Sequence, residues 1–119
     1  MTPTRTLRNL ILMATLFLGM ATHAQQPQLW GMTRNGGAND LGTIFRMDLD
    51  GSDFEVVHSF DGTGGSNPEG GLCLAANGDL YGLAKDGGAN TFGTVFRISP
   101  TTLEYTVVAV LTGSVGGFP

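Results

Sequence analysis

The chain has 119 residues, and six basic side chains against ten acidic give a formal net charge of −4. That balance, without a basic cluster, argues against nucleic acid or an anionic membrane as partner. Cys73 is the single cysteine, which excludes a disulfide framework for so small a scaffold.

Residues 1–24 read as a signal peptide, with a signal helix expected in its apolar part. Arg5 and Arg8 form a basic start, residues 10–21 are an apolar run of twelve, and Thr22-His23-Ala24 offers small residues at −3 and −1 of a cleavage site. Twelve apolar residues fall short of the roughly 20 that span a bilayer. Export to the cell surface, the periplasm or the medium is therefore expected, with no membrane attachment after cleavage. Cleavage after Ala24 leaves four basic residues against ten acidic, a net charge of −6.

From residue 29 onward the pattern is short β-strands between Gly, Asn and Asp clusters, with no run of helical period. Residues 29–33 read as a strand, followed by the loop Gly36-Gly37-Ala38-Asn39, a strand over 43–48, an Asp50-Gly51 turn and a strand over 54–60. A Gly- and Pro-rich connection over 61–70 leads to a strand at 71–75. Asn77-Gly78 reads as a two-residue hairpin turn, returning the chain through residues 80–84.

The same text then recurs. Laying residues 29–68 over 80–119 pairs 40 positions without a gap, of which 15 are identical, at a period of 51. Gly36-Gly37-Ala38-Asn39 returns as Gly87-Gly88-Ala89-Asn90, and Gly42-Thr43-Ile44-Phe45-Arg46 as Gly93-Thr94-Val95-Phe96-Arg97. Such a period points to stacked or radial units that cannot bury their faces alone. The fold expected is all-β: antiparallel, four-stranded, blade-like repeats of β-propeller type. Residues 25–79 form the first unit and 80–119 a second, truncated one. A period of two places Phe54, Val56, His58 and Phe60 on one face of their strand. The second copy, with Thr106, Val108 and Val110 opposite Tyr105 and Val107, is apolar on both sides and asks for a sheet covered on both sides.

The motif GGAN-x-x-GT-[IV]-FR, with LWG or LYG ahead of it, resembles the GloVer repeats of exported bacterial proteins. The resemblance covers nearly all of residues 29–119. It implies a propeller-type secreted or surface protein and no particular chemistry. Members of that family usually carry many units, and a closed propeller needs at least about four blades. The chain is accordingly expected to be a fragment whose partners include further blades of the same protein. Residues 25–119 alone are expected to associate or stay partly unfolded.

Candidate chemistry is sparse. The Gly-Gly loops could cradle an anion, but they open onto strands and not helices, so tight turns using positive φ and an Asn bonded to its own backbone are favoured. Asp48, Asp50 and Asp53 are weak calcium candidates: an EF-hand loop wants Gly at position six, and Gly51 stands at position four. A solvated Asp-Gly hairpin is preferred. His58 reads as a core or interface histidine and Cys73 as a small buried hydrophobe. Arg46 and Arg97, kept in both copies, could line a ligand site or serve the unit itself. Trp30 and Tyr81 could stack on sugar or pack between blades. No cofactor and no catalytic residue are expected. The function expected is an exported, non-catalytic binding or scaffold module, with extracellular polysaccharide or cell-surface components as possible partners. The competing expectation is a piece of an extracytoplasmic propeller hydrolase or lyase.

Overall fold

The computed structural model describes residues 27–114, 116–117 and 119; the expected signal helix lies outside them. Among the described residues there are eight strands and no helix. Gln28–Thr33 (β1), Thr43–Asp48 (β2) and Glu55–Ser59 (β3) form a three-stranded antiparallel sheet in chain order. Ser66–Pro68 (β4), Cys73–Leu74 (β5), Leu80–Asp86 (β6), Thr94–Ile98 (β7) and Tyr105–Val110 (β8) form the second. The first sheet has the three strands left to an incomplete first unit, while the second holds the four strands expected, β5 to β8, and adds β4. In the second sheet, β4 and β5 share one edge of β6, pairing at Ala84 and Asp86 and at Leu80 and Tyr81. Gly70 and Gly71 interrupt what would have been one edge strand, and β4 arises inside the stretch expected to be a plain connection.

The 51-residue period is rebuilt bond by bond. Gly42 N–H donates to the Gly36 carbonyl (3.0 Å) and Phe60 N–H to the Gly42 carbonyl (3.0 Å). The second unit repeats both, from Gly93 to Gly87 (3.1 Å) and from Leu111 to Gly93 (3.0 Å). Gly36, Gly37, Gly87 and Gly88 all have φ between 78° and 87°, the left-handed region that glycine enters without steric cost. The Asn role differs from expectation. Asn39 donates from Nδ2 to the carbonyl of Phe60 (3.0 Å), tying its loop to the end of β3, while Asp40 Oδ1 accepts from Gly36 N–H (2.8 Å).

A β-bulge also repeats. Ile44 pairs with His58 but Phe45 with Val56, leaving Val57 extra; Val95 pairs with Ala109 but Phe96 with Val107, leaving Val108 extra. A bulge shifts the alternation by one residue. This overturns the single face expected for Phe54, Val56, His58 and Phe60. His58 turns toward the second sheet with Ile44, whereas Val56 and Phe54 lie on the opposite face with Phe45, whose ring is 5.2 Å from that of Phe54. The Asn77-Gly78 turn is corrected too. Gly78 N–H donates to the Ala75 carbonyl (3.0 Å), Ala75 N–H donates to the Asp79 carbonyl (2.9 Å), and only Gly78 has positive φ. That is a three-residue loop closing on a glycine bulge.

The core lies between the two sheets. Ile44 and Phe60 from the first unit meet Leu80, Ala84, Phe96 and Ile98 from the second, with Trp30, Met32, Val57, Leu72 and Tyr105 around them. Phe60 is the node: its ring stands edge-on to Phe96 (5.4 Å) and Tyr105 (5.8 Å), in the geometry aromatic quadrupoles prefer. The connection over residues 61–68 is clamped by both units. Gly64 offers its carbonyl to Tyr105 Oη (2.6 Å) and Thr94 Oγ1 (3.1 Å), and Asn67 N–H donates back to Leu41 (2.7 Å). Glu69 Oε1 meets Arg34 (3.2 Å) and Lys85 (3.3 Å), residues one period apart. Partly exposed pairs of this kind fix geometry more than they stabilise.

Candidate functional site

The four residues singled out for ligand binding fall into two cross-strand pairs, one in each unit. Trp30 lies directly opposite Arg46 between β1 and β2, and Tyr81 opposite Arg97 between β6 and β7. The sequence offered no signal for this, because residues 16 apart become partners only once the intervening loop length fixes the register. The Arg46 guanidinium carbon sits 5.8 Å from the centre of the Trp30 ring, at cation–π range. Arg46 also donates from Nε and Nη2 to Glu55 Oε2, at 2.9 and 2.8 Å. Its charge is therefore met within its own sheet, and Trp30 packs against the core.

The second pair is more open. Arg97 is exposed and approaches Asp79 Oδ2 only at 3.8 Å. Tyr81 Oη accepts a hydrogen bond from Asn77 Nδ2 (3.1 Å). Beside them lies a polar hollow of about 210 Å³ lined by Asp79, Arg97, Ser99, Thr102, Glu104 and Thr106. A guanidinium next to hydroxyls and carboxylates can hold a polyhydroxylated or carboxylated ligand through planar hydrogen bonds. On the same side of the sheet is an apolar hollow of about 250 Å³, lined by Gly71, Cys73, Tyr81, Gly82, Leu83 and Val95. Cys73, expected to be buried, is exposed. It pairs with Tyr81, so its side chain takes the open face, and the inward position goes to Leu72, within reach of Gly82.

Two of the three aspartates considered for calcium, Asp48 and Asp50, are spent on their turn. Asp50 Oδ1 accepts from Ser52 N–H (3.0 Å) and Ser52 Oγ (2.6 Å), which holds the Asp50 carboxyl below the ordinary range. Asp48 lies 3.5 Å from the same hydroxyl, and Asp53 takes positive φ at the end of the loop. Among the described residues no three His, Cys, Asp or Glu side chains gather as a metal site.

His58 is the interface histidine the sequence suggested. Its ring stacks on Tyr105 at 3.8 Å and 8°, joining β3 to β8 across the two units. Burial there pushes the imidazole below its ordinary value near 6.5, and the charge of Asp61 opposes this only partly. A lowered folded pKa means the unfolded chain takes up the proton first. Stability is then full above about pH 6.5 and falls as pH drops toward the folded value, below which it levels off. The urea midpoint is expected to be lower at pH 5.5 than at pH 7.5, and His58→Phe, which keeps a stacking ring, should flatten that step. Asp50 and Asp61 titrate well below this window, since hydrogen bonds from their own turns lower both. An unchanged midpoint in the native chain would show that the stack tolerates the charged ring.

Neither the curated proteins nor the solved structures compared with the chain give a match. Residues 18–119 match the Gloeobacter/Verrucomicrobia repeat, and with its two copies of the Gly-Gly loop, bulge and aromatic–arginine pair, the chain belongs to that repeat family.

Proposed function

We propose that this protein is an exported, non-catalytic repeat module of propeller type that binds and scaffolds outside the cytoplasm. The observation that carries this reading is what the two units hold in common. The Gly-Gly loop, the bulge and the aromatic–arginine pair are parts that build a unit and join it to the next, and repeated chemistry of that kind belongs to an array. Further blades and extracellular polysaccharide or other cell-surface components are its partners in this reading. The polar hollow beside Arg97 is its ligand contact.

Incubating the exported protein with insoluble cell-wall polysaccharide tests the reading on two readouts. Retention that drops several-fold in Arg97→Ala, without release of reducing ends, is the expected result. Release of reducing ends would instead support the enzyme reading, for which Asp79 and Glu104 supply two carboxylates at one hollow. Export itself is checked by mass spectrometry of the exported fraction. The expected N-terminus is Gln25, and finding Met1 or Thr2 there would overturn cleavage after Ala24.

A further inference from the structure

The contact between the two sheets is a template for what covers their outer faces. Its first half is Met32, Ile44, Val57 and His58 of the first sheet, and its second half is Leu80, Phe96, Ile98 and Tyr105 of the second. Adding 51 to the first set gives Leu83, Val95, Val108 and Ala109, which lie on the outer face of the second sheet; Leu83 is 44% and Val108 52% exposed. Subtracting 51 from the second set gives Leu29, Phe45, Met47 and Phe54, on the outer face of the first sheet; Leu29 is 46% and Phe54 59% exposed. One outer face therefore repeats one half of the closed contact, and the other outer face repeats the other half.

We infer that a second copy of this chain docks on these faces head to tail, the outer face of one copy's second sheet against the outer face of the next copy's first sheet. This rests on the scaffold reading above and names its partner. The substitutions between the copies suit such a contact. The internal contact stacks His58 on Tyr105, whose hydroxyl needs the Gly64 carbonyl. The outer pair is Ala109 and Phe54, which brings a ring to a small residue and leaves no polar atom to satisfy. Met32 and Ile44 become Leu83 and Val95, so the apolar character is kept at each position. Two different faces meet in this contact, so each copy keeps one face free, and growth ends only if the rotation closes a ring.

Sedimentation of the exported protein tests the inference, with Val56→Lys placing a charge on the first outer face and Leu83→Lys on the second. Both residues lie on the outer faces, 45% and 44% exposed, so neither change disturbs the internal core. The native chain is expected to exceed the mass of a dimer and to grow with concentration. Each variant alone should sediment as a monomer, and an equimolar mixture should give a dimer that grows no further, because one competent face of each remains. That mixture also proves that both variants are folded. A native chain monomeric at every concentration, a single variant that still dimerises, or a mixture that stays monomeric would each overturn head-to-tail docking. Polysaccharide retention is scored separately on monomeric Val56→Lys, whose substitution lies on the first sheet and leaves Arg97 and the face around it untouched: its loss there counts against the ligand reading alone.

Discussion

Gly93→Ala is expected to destabilise the fold by about 3 kcal/mol or more, the sum of left-handed strain and a backbone clash. Gly93 has φ of 100°, and a Cβ there would be driven into the carbonyl oxygens of Ala84 and, at 2.7 Å, Lys85. Those carbonyls belong to β6, and Gly93 also accepts from Leu111 while donating to Gly87, so the loop cannot retreat without breaking the end of two strands. Gly37 and Gly36 grade the effect. At Gly37 the added carbon would meet the methyl of Thr43 at 2.6 Å but no backbone atom nearer than the Gly42 oxygen at 3.2 Å, so Gly37→Ala should be milder and the larger Gly37→Val should exceed about 1 kcal/mol. At Gly36 nothing lies within 4 Å of an added Cβ and φ is 87°, which leaves only the strain of about 1 kcal/mol. Urea melts followed by circular dichroism check the order. A Gly93 variant as stable as the Gly36 variant would mean that the loop moves aside freely.

The loops were legible because their constraint is local. A Gly-Gly pair repeated at a fixed period announces positive φ, and all four residues have it. The strands other than β4 were legible for the same reason, as were the period and the place of His58 between units. What stayed hidden depends on register. Val56 and Val57 look alike in a sequence, and nothing local says that the second is extra; only pairing of Phe45 with Val56 does. Once the bulge is missed, every face assignment before it is inverted, which is how Phe54 and Val56 came to be expected on the face of His58 and Phe60. The Trp30–Arg46 and Tyr81–Arg97 pairs were hidden likewise, although all four residues had been marked. Cys73 was misplaced because its Leu neighbours suggest a core, whereas both residues of the two-residue edge strand, Cys73 and Leu74, are exposed. The part that was read correctly without structure is what repeats; the part that was not is how the strands are threaded against each other.

Phe96→Ala is expected to cost about 3–5 kcal/mol, the range for deleting a fully buried aromatic ring. Its ring is fully buried, packs on Phe60 and Tyr105, and would contact any Cβ placed at Gly82. Phe45 is the same residue one period earlier, with the same relation to Gly31, but among the described residues no sheet lies against its face, and Phe45 is only half-buried. Phe45→Ala in dilute, monomeric protein should therefore cost about half as much or less, since the apolar area removed from water is smaller and no closed cavity forms. Coverage by a neighbouring sheet separates the two sites, together with Leu72, which packs at Gly82 and has no described counterpart at Gly31. If a second copy docks on the Phe45 face, its truncation should become more damaging as protein concentration rises, while the cost at Phe96 stays constant, because only the first is linked to association. Thermal melts of both variants across a concentration series read this directly. Equal costs in dilute solution would mean that the contact between sheets adds little to stability, and that each unit stands by its own strands.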